Sequence, residues 1–252
     1  MGATPFKTSG SVLPSEFFGR TETIRTVVRG LRTPGNVAVV APPRAGRSSL
    51  LHLLFTNYHL AEPDARLWLI DMQTLNTLPN LIEEIFIGLR TESADYSLAA
   101  LAKGLKHWTQ RAVFFVDNAD RFATAPFDDE ALLALLASHV QTPHLSLCVA
   151  LKSPPDQVFK RHLGRQLHSL FIQCDLPPFS AEDSFQFIGQ RLQWTGIDFD
   201  GNEIAQLHER SGGMPYELQR LAAALYKQKQ AQQQHQHDLD EIDQLGTHRP
   251  RH

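Results

Sequence analysis

The chain has 252 residues, 42% of them hydrophobic, with a formal net charge of −3, so it holds enough apolar material for one large domain or a domain with a small companion. That charge supplies no global basic field for nucleic acid or an anionic membrane. No apolar stretch approaches the roughly 20 residues that span a bilayer, and residues 1–11 carry one lysine and no apolar run of the secretory kind.

Residues 1–16 read as a leader. Phe17-Phe18-Gly19-Arg20 then precedes a helical pattern from Glu22 to Leu31, which Thr33-Pro34-Gly35 breaks. Asn36–Val40 is an apolar strand, and a helix follows over about 48–58. Ala65–Asp71 reads as a buried parallel strand. Helical spacing recurs from Leu78 to Leu89, from Ser97 to Trp108 and from Asp128 to His139. Ala112–Val116, Leu145–Leu151 and, more weakly, Ser169–Asp175 complete the strands. Strands alternating with helices predict a three-layer α/β architecture over 17–178, with a parallel sheet and right-handed crossovers.

The pattern changes at Ser180. Ser180-Ala-Glu-Asp183 has the form of a capping box, opening a helix to about Gln193. A second helix runs near Glu203–Ser211, Gly212-Gly213-Met214-Pro215 breaks it, and a third extends from Tyr216 to about Lys229. Residues 179–229 thus read as a small all-helical lid. Residues 230–252 are rich in glutamine and histidine and read as a polar, disordered tail, with a metal role for His235 and His237 the lesser alternative. Cys148 and Cys174 lie in strand-like runs, as buried free thiols of a reducing cytoplasmic setting do.

The stretch from Val37 to Leu51 has the frame of a phosphate-binding loop: strand, G-x-x-x-x-G-K-[ST], helix. Such a loop gathers backbone N–H groups and a lysine around phosphates. Gly46 stands at the turn and Ser48 supplies the hydroxyl, but Ala41 replaces the first glycine and Arg47 the lysine. Arg47 keeps the charge, although a planar guanidinium is no substitute for a compact ammonium. Pro42 and Pro43 remove two N–H groups. The expected phosphate contacts are Pro43, Arg44, Ala45, Gly46, Arg47, Ser48 and Ser49.

About seventy residues on, Val113-Phe-Phe-Val-Asp117-Asn118-Ala-Asp120-Arg121 ends an apolar strand in a carboxylate, where a nucleotide enzyme holds Mg²⁺. An aspartate that merely caps the turn gives the same pattern. Ser48 and Asp117 are the expected metal ligands. The next residue is Asn118, which cannot accept a proton. Asp120 is the stand-in base, two residues out of place.

Phe18-Gly19-Arg20, the phosphate loop, Ile70-Asp71-Met-Gln73, Asp117-Asn-Ala-Asp120 and Ser211-Gly-Gly-Met-Pro215 occur in the order seen in AAA+ ATPases. Over about residues 14–228 the chain resembles their STAND branch and the related archaeal ATPases. The resemblance implies a P-loop NTPase core with ATP or ADP and Mg²⁺ as ligands. It implies that Phe18, Gly19 and Arg20 lie near the adenine, that Ser48 and Asp117 hold the metal, and that Gly213 and Pro215 close over the base. It also implies a polar sensor at Lys152 or Ser153, a second sensor at Arg220, and an arginine finger among Lys160, Arg161 and Arg165. A solvated basic face explains that last cluster equally well.

The expected function is therefore a nucleotide-dependent switch in signal transduction with slow or absent hydrolysis, acting through an unidentified effector or sensor protein. The alternatives are a pseudo-ATPase scaffold and a ring-forming regulator of DNA transactions such as transposition. Further copies of the chain are the alternative partner, nucleic acid is the less favoured one, and no membrane is implicated.

Overall fold

The structure, a computed structural model, describes residues 4–32, 35–160 and 164–246. The chain divides into two compact units, Ser11–Pro177 and a second made of Met1–Gly10 with Pro178–His252.

In the larger unit, β1 (Asn36–Val40), β2 (Arg66–Asp71), β3 (Ala112–Asp117), β4 (Leu145–Leu151) and β5 (Phe171–Asp175) form one sheet in the order β2-β3-β4-β1-β5. Every neighbouring pair is parallel. Helix α1 (Thr21–Leu31) precedes β1; parallel pairing requires crossovers, which run through α2 (Arg47–Asn57), α3 (Leu78–Leu89), α4 (Leu98–Lys106) and α5 (Glu130–His139). Two short helices, α6 (Pro155–Val158) and α7 (Gly164–His168), lie between β4 and β5. The sequence shows no apolar period there; the solvated basic helix face weighed for Lys160, Arg161 and Arg165 falls in this stretch.

The strands are apolar on both faces because both are covered. Ala38, Val40, Phe114, Val116, Leu147 and Val149 join α3, α4 and α5 in one cluster. Val37, Val39, Val113 and Phe115 are equally buried on the alternate positions, with Phe115 edge-on to Phe55 and Tyr58 at 6.2 and 5.9 Å. The sheet with its two helical layers is the expected α/β core. One polar residue opens β1 inside it: the Asn36 amide donates to the Val140 carbonyl at 3.1 Å and accepts the Leu147 N–H at 2.8 Å. With both ends paired, its burial carries little cost.

The register sets Asp71 beside Asp117, so these carboxylates stand together at the C-terminal ends of β2 and β3. In open α/β sheets that edge is where ligands bind.

The smaller unit contains α8 (Ala181–Leu192), α9 (Gly201–Ser211) and α10 (Pro215–Gly246). Ser180 and Asp183 cap α8 reciprocally, and Asp200 with Glu203 does the same for α9. Gly213 has φ +69 and would place a Cβ 2.2 Å from the Phe179 carbonyl oxygen, so only glycine fits the turn between α9 and α10.

Two features depart from the sequence reading. Phe6, assigned to a leader, is buried among Phe187, Phe199 and Tyr226 with ring separations of 6.2–6.5 Å. The neighbouring Lys7 N–H donates to Gln219 Oε1. And α10 continues to Gly246, past Lys229 and into the stretch read as a disordered tail. Glutamine, lysine and alanine are good helix formers, Lys229 binds Glu203 at 2.6 Å, and Gln233 donates to the Gly196 carbonyl. The side chain of His237 lies outside the described residues. Among the described residues no cluster of His, Cys, Asp or Glu could hold a metal ion, and no helix is long and apolar enough to cross a membrane.

Candidate nucleotide site

The site grows from the end of β1. The Ala41 N–H still donates to the Leu151 carbonyl at 3.1 Å, while the Val40 carbonyl accepts the Leu176 N–H. Ala41 therefore extends the sheet, and its φ is not positive, which is why no glycine is required there. The chain leaves the sheet through the exposed Pro42 and Pro43. It then turns through two left-handed residues, Arg44 at φ +68 and Gly46 at φ +97. Glycine takes that conformation freely, whereas a non-glycine residue adopts it only under constraint.

Helix α2 starts at Arg47 on Gly46, with no side chain capping it. Its first-turn N–H groups, at the positive end of its dipole, therefore lack a side-chain cap, an arrangement suited to an anion. Arg20 braces the turn from behind: Nη1 donates to the Ala45 carbonyl at 2.8 Å and Nη2 to the Pro177 carbonyl at 3.0 Å. The sequence reading placed Arg20 near a base; in the structure its guanidinium supports the loop. Gly19 and Arg20 both have positive φ and lead into α1.

Arg47 is the central group. Its side chain is only 10% exposed, its Nη1 lies 4.0 Å from Asp120 Oδ2, and that nitrogen has no hydrogen-bond partner. Burial pulls the guanidinium below its ordinary value, while Asp120 and then Asp117 act in the opposite sense. A buried guanidinium N–H lacking an acceptor is costly, and a phosphate oxygen is the kind of acceptor whose geometry a guanidinium matches well.

The carboxylates are already engaged. Asp117 Oδ1 accepts the Asn118 N–H at 2.8 Å. Asn118, left-handed at φ +54, donates its side-chain amide to Asp71 Oδ1 at 2.9 Å. Both Asp120 oxygens accept the Lys152 backbone N–H, at 2.9 and 3.1 Å. Arg121 donates to the carbonyls of Met72 and Leu75 and stacks over Phe127, so it is an internal brace.

The structure brings together Arg20, Arg44 to Ser48, Asp117, Asn118, Asp120 and the backbone of Lys152. Ser49, counted among the phosphate contacts, is buried and its Oγ accepts the Val12 N–H at 3.1 Å, which turns the hydroxyl toward the N-terminal segment. The Lys152 side chain is exposed. Gly213, Pro215 and Arg220 belong to the helical unit, where Arg220 pairs with Glu217 one turn earlier. Lys160 is exposed; Arg161 and the side chain of Arg165 lie outside the described residues. The sequence reading missed the role of Asp71 as the Asn118 acceptor, which only the strand register reveals.

A parallel sheet whose inner strand β1 enters a glycine turn and an uncapped helix N-terminus, with an aspartate ending the strand two places away, defines the P-loop NTPase fold. Solved structures agree at the level of fold. A Walker-type ATPase of Pyrococcus abyssi superposes with TM-score 0.62 at 19% identity, covering 96% of this chain and 80% of that one. The Aeropyrum pernix ORC1 protein, solved in complex with DNA, gives 0.63 at 14% identity over 84% of this chain. This chain spans only 61% of that protein. Domain III of the Thermotoga maritima replication initiation protein DnaA gives 0.57 at 14% identity, over 87% of this chain and 90% of that one. No curated protein matches the sequence. The model of the novel STAND NTPase 1 family matches residues 4–249, and the chain belongs to that family.

Proposed function

We propose that this chain is a nucleotide-dependent conformational switch that binds ATP or ADP at the N-terminus of α2 and hydrolyses it slowly or not at all. The observation that carries the reading is the buried Arg47 Nη1 without an acceptor beside the uncapped first turn of α2. Those N–H groups and the guanidinium together suit the β- and γ-phosphate oxygens. An Aeropyrum pernix ORC2 protein of the same fold was solved with ADPNP and ADP, which supports a nucleotide as the ligand.

Slow turnover follows from the groups around the loop. Efficient hydrolysis needs a group that orients or deprotonates water. Asn118 is an amide and spends it on Asp71, while the two Asp120 oxygens hold the Lys152 N–H and face Arg47. A ligand that is bound but barely consumed can act through the difference between its two states. The signal then passes to a partner protein or to further copies of the chain, in a cytoplasmic signalling setting. DNA is the lesser partner, since the net charge is −3 and Arg121 is bound internally.

The test is thermal melting with ATP and with ADP. A ligand at about 100 times its Kd stabilises by about 2.7 kcal/mol, and Arg47→Ala should abolish the shift. A flat melting temperature at saturating nucleotide overturns the switch and favours the pseudo-ATPase scaffold, a reading that Pro42 and Pro43 also support through their missing N–H groups.

A further inference from the structure

Relatives of this fold typically bind nucleotide together with Mg²⁺, and Ser48 and Asp117 are the residues expected to hold the metal. The groups around them fit that ion poorly. Asp117 already accepts the Asn118 N–H with one oxygen. Both oxygens of Asp120 accept the Lys152 N–H. The positive charge that faces these carboxylates belongs to the protein: Arg47 Nη1 is 4.0 Å from Asp120 Oδ2 and within electrostatic reach of Asp117.

We propose that Arg47 is a tethered cation standing in for the divalent metal, so that this site takes a nucleoside polyphosphate without Mg²⁺. The inference rests on the nucleotide reading above and adds its metal requirement. Three guanidinium groups belong to the loop or touch it. Arg20 donates to the Ala45 carbonyl, Arg44 sits at the left-handed turn, and Arg47 opens α2. A metal normally neutralises phosphate charge and is itself held by the strand-end carboxylate. Here one buried guanidinium stands for both, since Nη1 lies 4.0 Å from Asp120 and has no hydrogen-bond partner of its own, which leaves it an unsatisfied donor that a phosphate oxygen would complete. A divalent ion placed at Asp117 would meet a fixed like charge in a poorly hydrated setting, where repulsion is strongest. A lysine in the same position offers a single compact charge in place of the five forked N–H donors of a guanidinium.

Calorimetric titration of the full chain with ATP, in excess MgCl₂ and in excess EDTA, separates the possibilities. The expected result is a Kd that differs by less than about threefold between the two conditions. Binding in MgCl₂ that weakens tenfold or more in EDTA overturns the inference and leaves the switch intact. Absence of binding in both conditions overturns the nucleotide reading itself. Arg47→Lys should acquire a Mg²⁺ dependence of about tenfold or more; a lysine variant that binds equally well in EDTA overturns the inference. A second measurement needs no variant. Mn²⁺ titrated into the nucleotide-free protein, followed by the EPR signal of the free ion, should show no micromolar binding, and micromolar binding overturns the inference.

Discussion

The side-chain amide of Asn118 donates to Asp71 Oδ1 at 2.9 Å, tying together the ends of two neighbouring parallel strands. Asn118 holds this bond from a left-handed backbone, at φ +54, a conformation that asparagine tolerates better than most residues. The position that a catalytic glutamate would fill is therefore a structural tie.

Replacing Asn118 with glutamate should not raise ATPase activity. Glutamate pays about 1–2 kcal/mol for the left-handed backbone, and the lost hydrogen bond costs about 1 kcal/mol more. Its carboxylate would also face Asp71. Asn118→Gly keeps the backbone and loses only the bond, so urea unfolding should rank glycine above glutamate in stability by about 1 kcal/mol or more. A glutamate variant as stable as the parent, or one with raised phosphate release, contradicts this assignment.

Gly213→Ala should be among the most damaging single-methyl additions. The new Cβ would meet the Phe179 carbonyl oxygen at 2.2 Å, and the residue sits at φ +69. Its own carbonyl accepts the Phe179 N–H at 2.8 Å, so the turn cannot relax without losing that bond. A loss of about 2–4 kcal/mol is expected from strain and clash together. The control is Gly189→Ala, on α8, where nothing lies within 4 Å of the added Cβ. That variant should be neutral or slightly stabilising, because alanine exceeds glycine in helix propensity by about 1 kcal/mol.

How much of this was legible in the sequence follows from the range of each interaction. The β1–turn–α2 unit is local, so Val37 to Leu51 announces it, and the alternation of strand and helix predicts the sheet. Ser180 and Asp183 are three residues apart, and their reciprocal cap is equally local. The misses are non-local. Nothing near Phe6 marks it as a core residue, since its partners lie some 180 to 220 positions away. Asp71 meets Asn118 only because the register aligns two strands, and Ser49 meets Val12 only because the N-terminal segment runs beside α2. The end of α10 was misjudged for a different reason. Its glutamine-rich run lacks an apolar stripe, but helix propensity and the Lys229 and Gln233 anchors hold it.

Phe6→Ala tests the first of those misses. The ring is 2% exposed within the helical unit, and truncating a buried phenylalanine costs about 3–5 kcal/mol in a rigid core. A segment near a terminus relaxes more easily, so the lower end is expected. Hydrogen exchange should show the loss concentrated in α8, α9 and the first turns of α10. Unchanged protection there would return residues 4–10 to the status of a leader.

Stability should also fall in alkali, and the direction can be worked from three buried groups. Burial, and secondarily Cys174, raises the Cys148 thiol; burial, and secondarily Asp175, raises Cys174. Burial first and Glu62 second raise the Tyr58 phenol, against Arg111. Each group ionises more readily in the unfolded chain than in the folded one. The contribution is therefore fully present below the unfolded pKa, about 8.5 for a thiol and about 10 for a phenol, and is lost as pH rises beyond it. While the folded groups stay protonated, each contributes a slope of about −1.4 kcal/mol per pH unit. Urea midpoints should hold level to about pH 8.5, fall above it, and steepen above about pH 10. Cys148→Ala should make the first decline shallower, and Tyr58→Phe should remove the steepening. A parent protein with level stability through pH 10 would show that these groups reach solvent when folded.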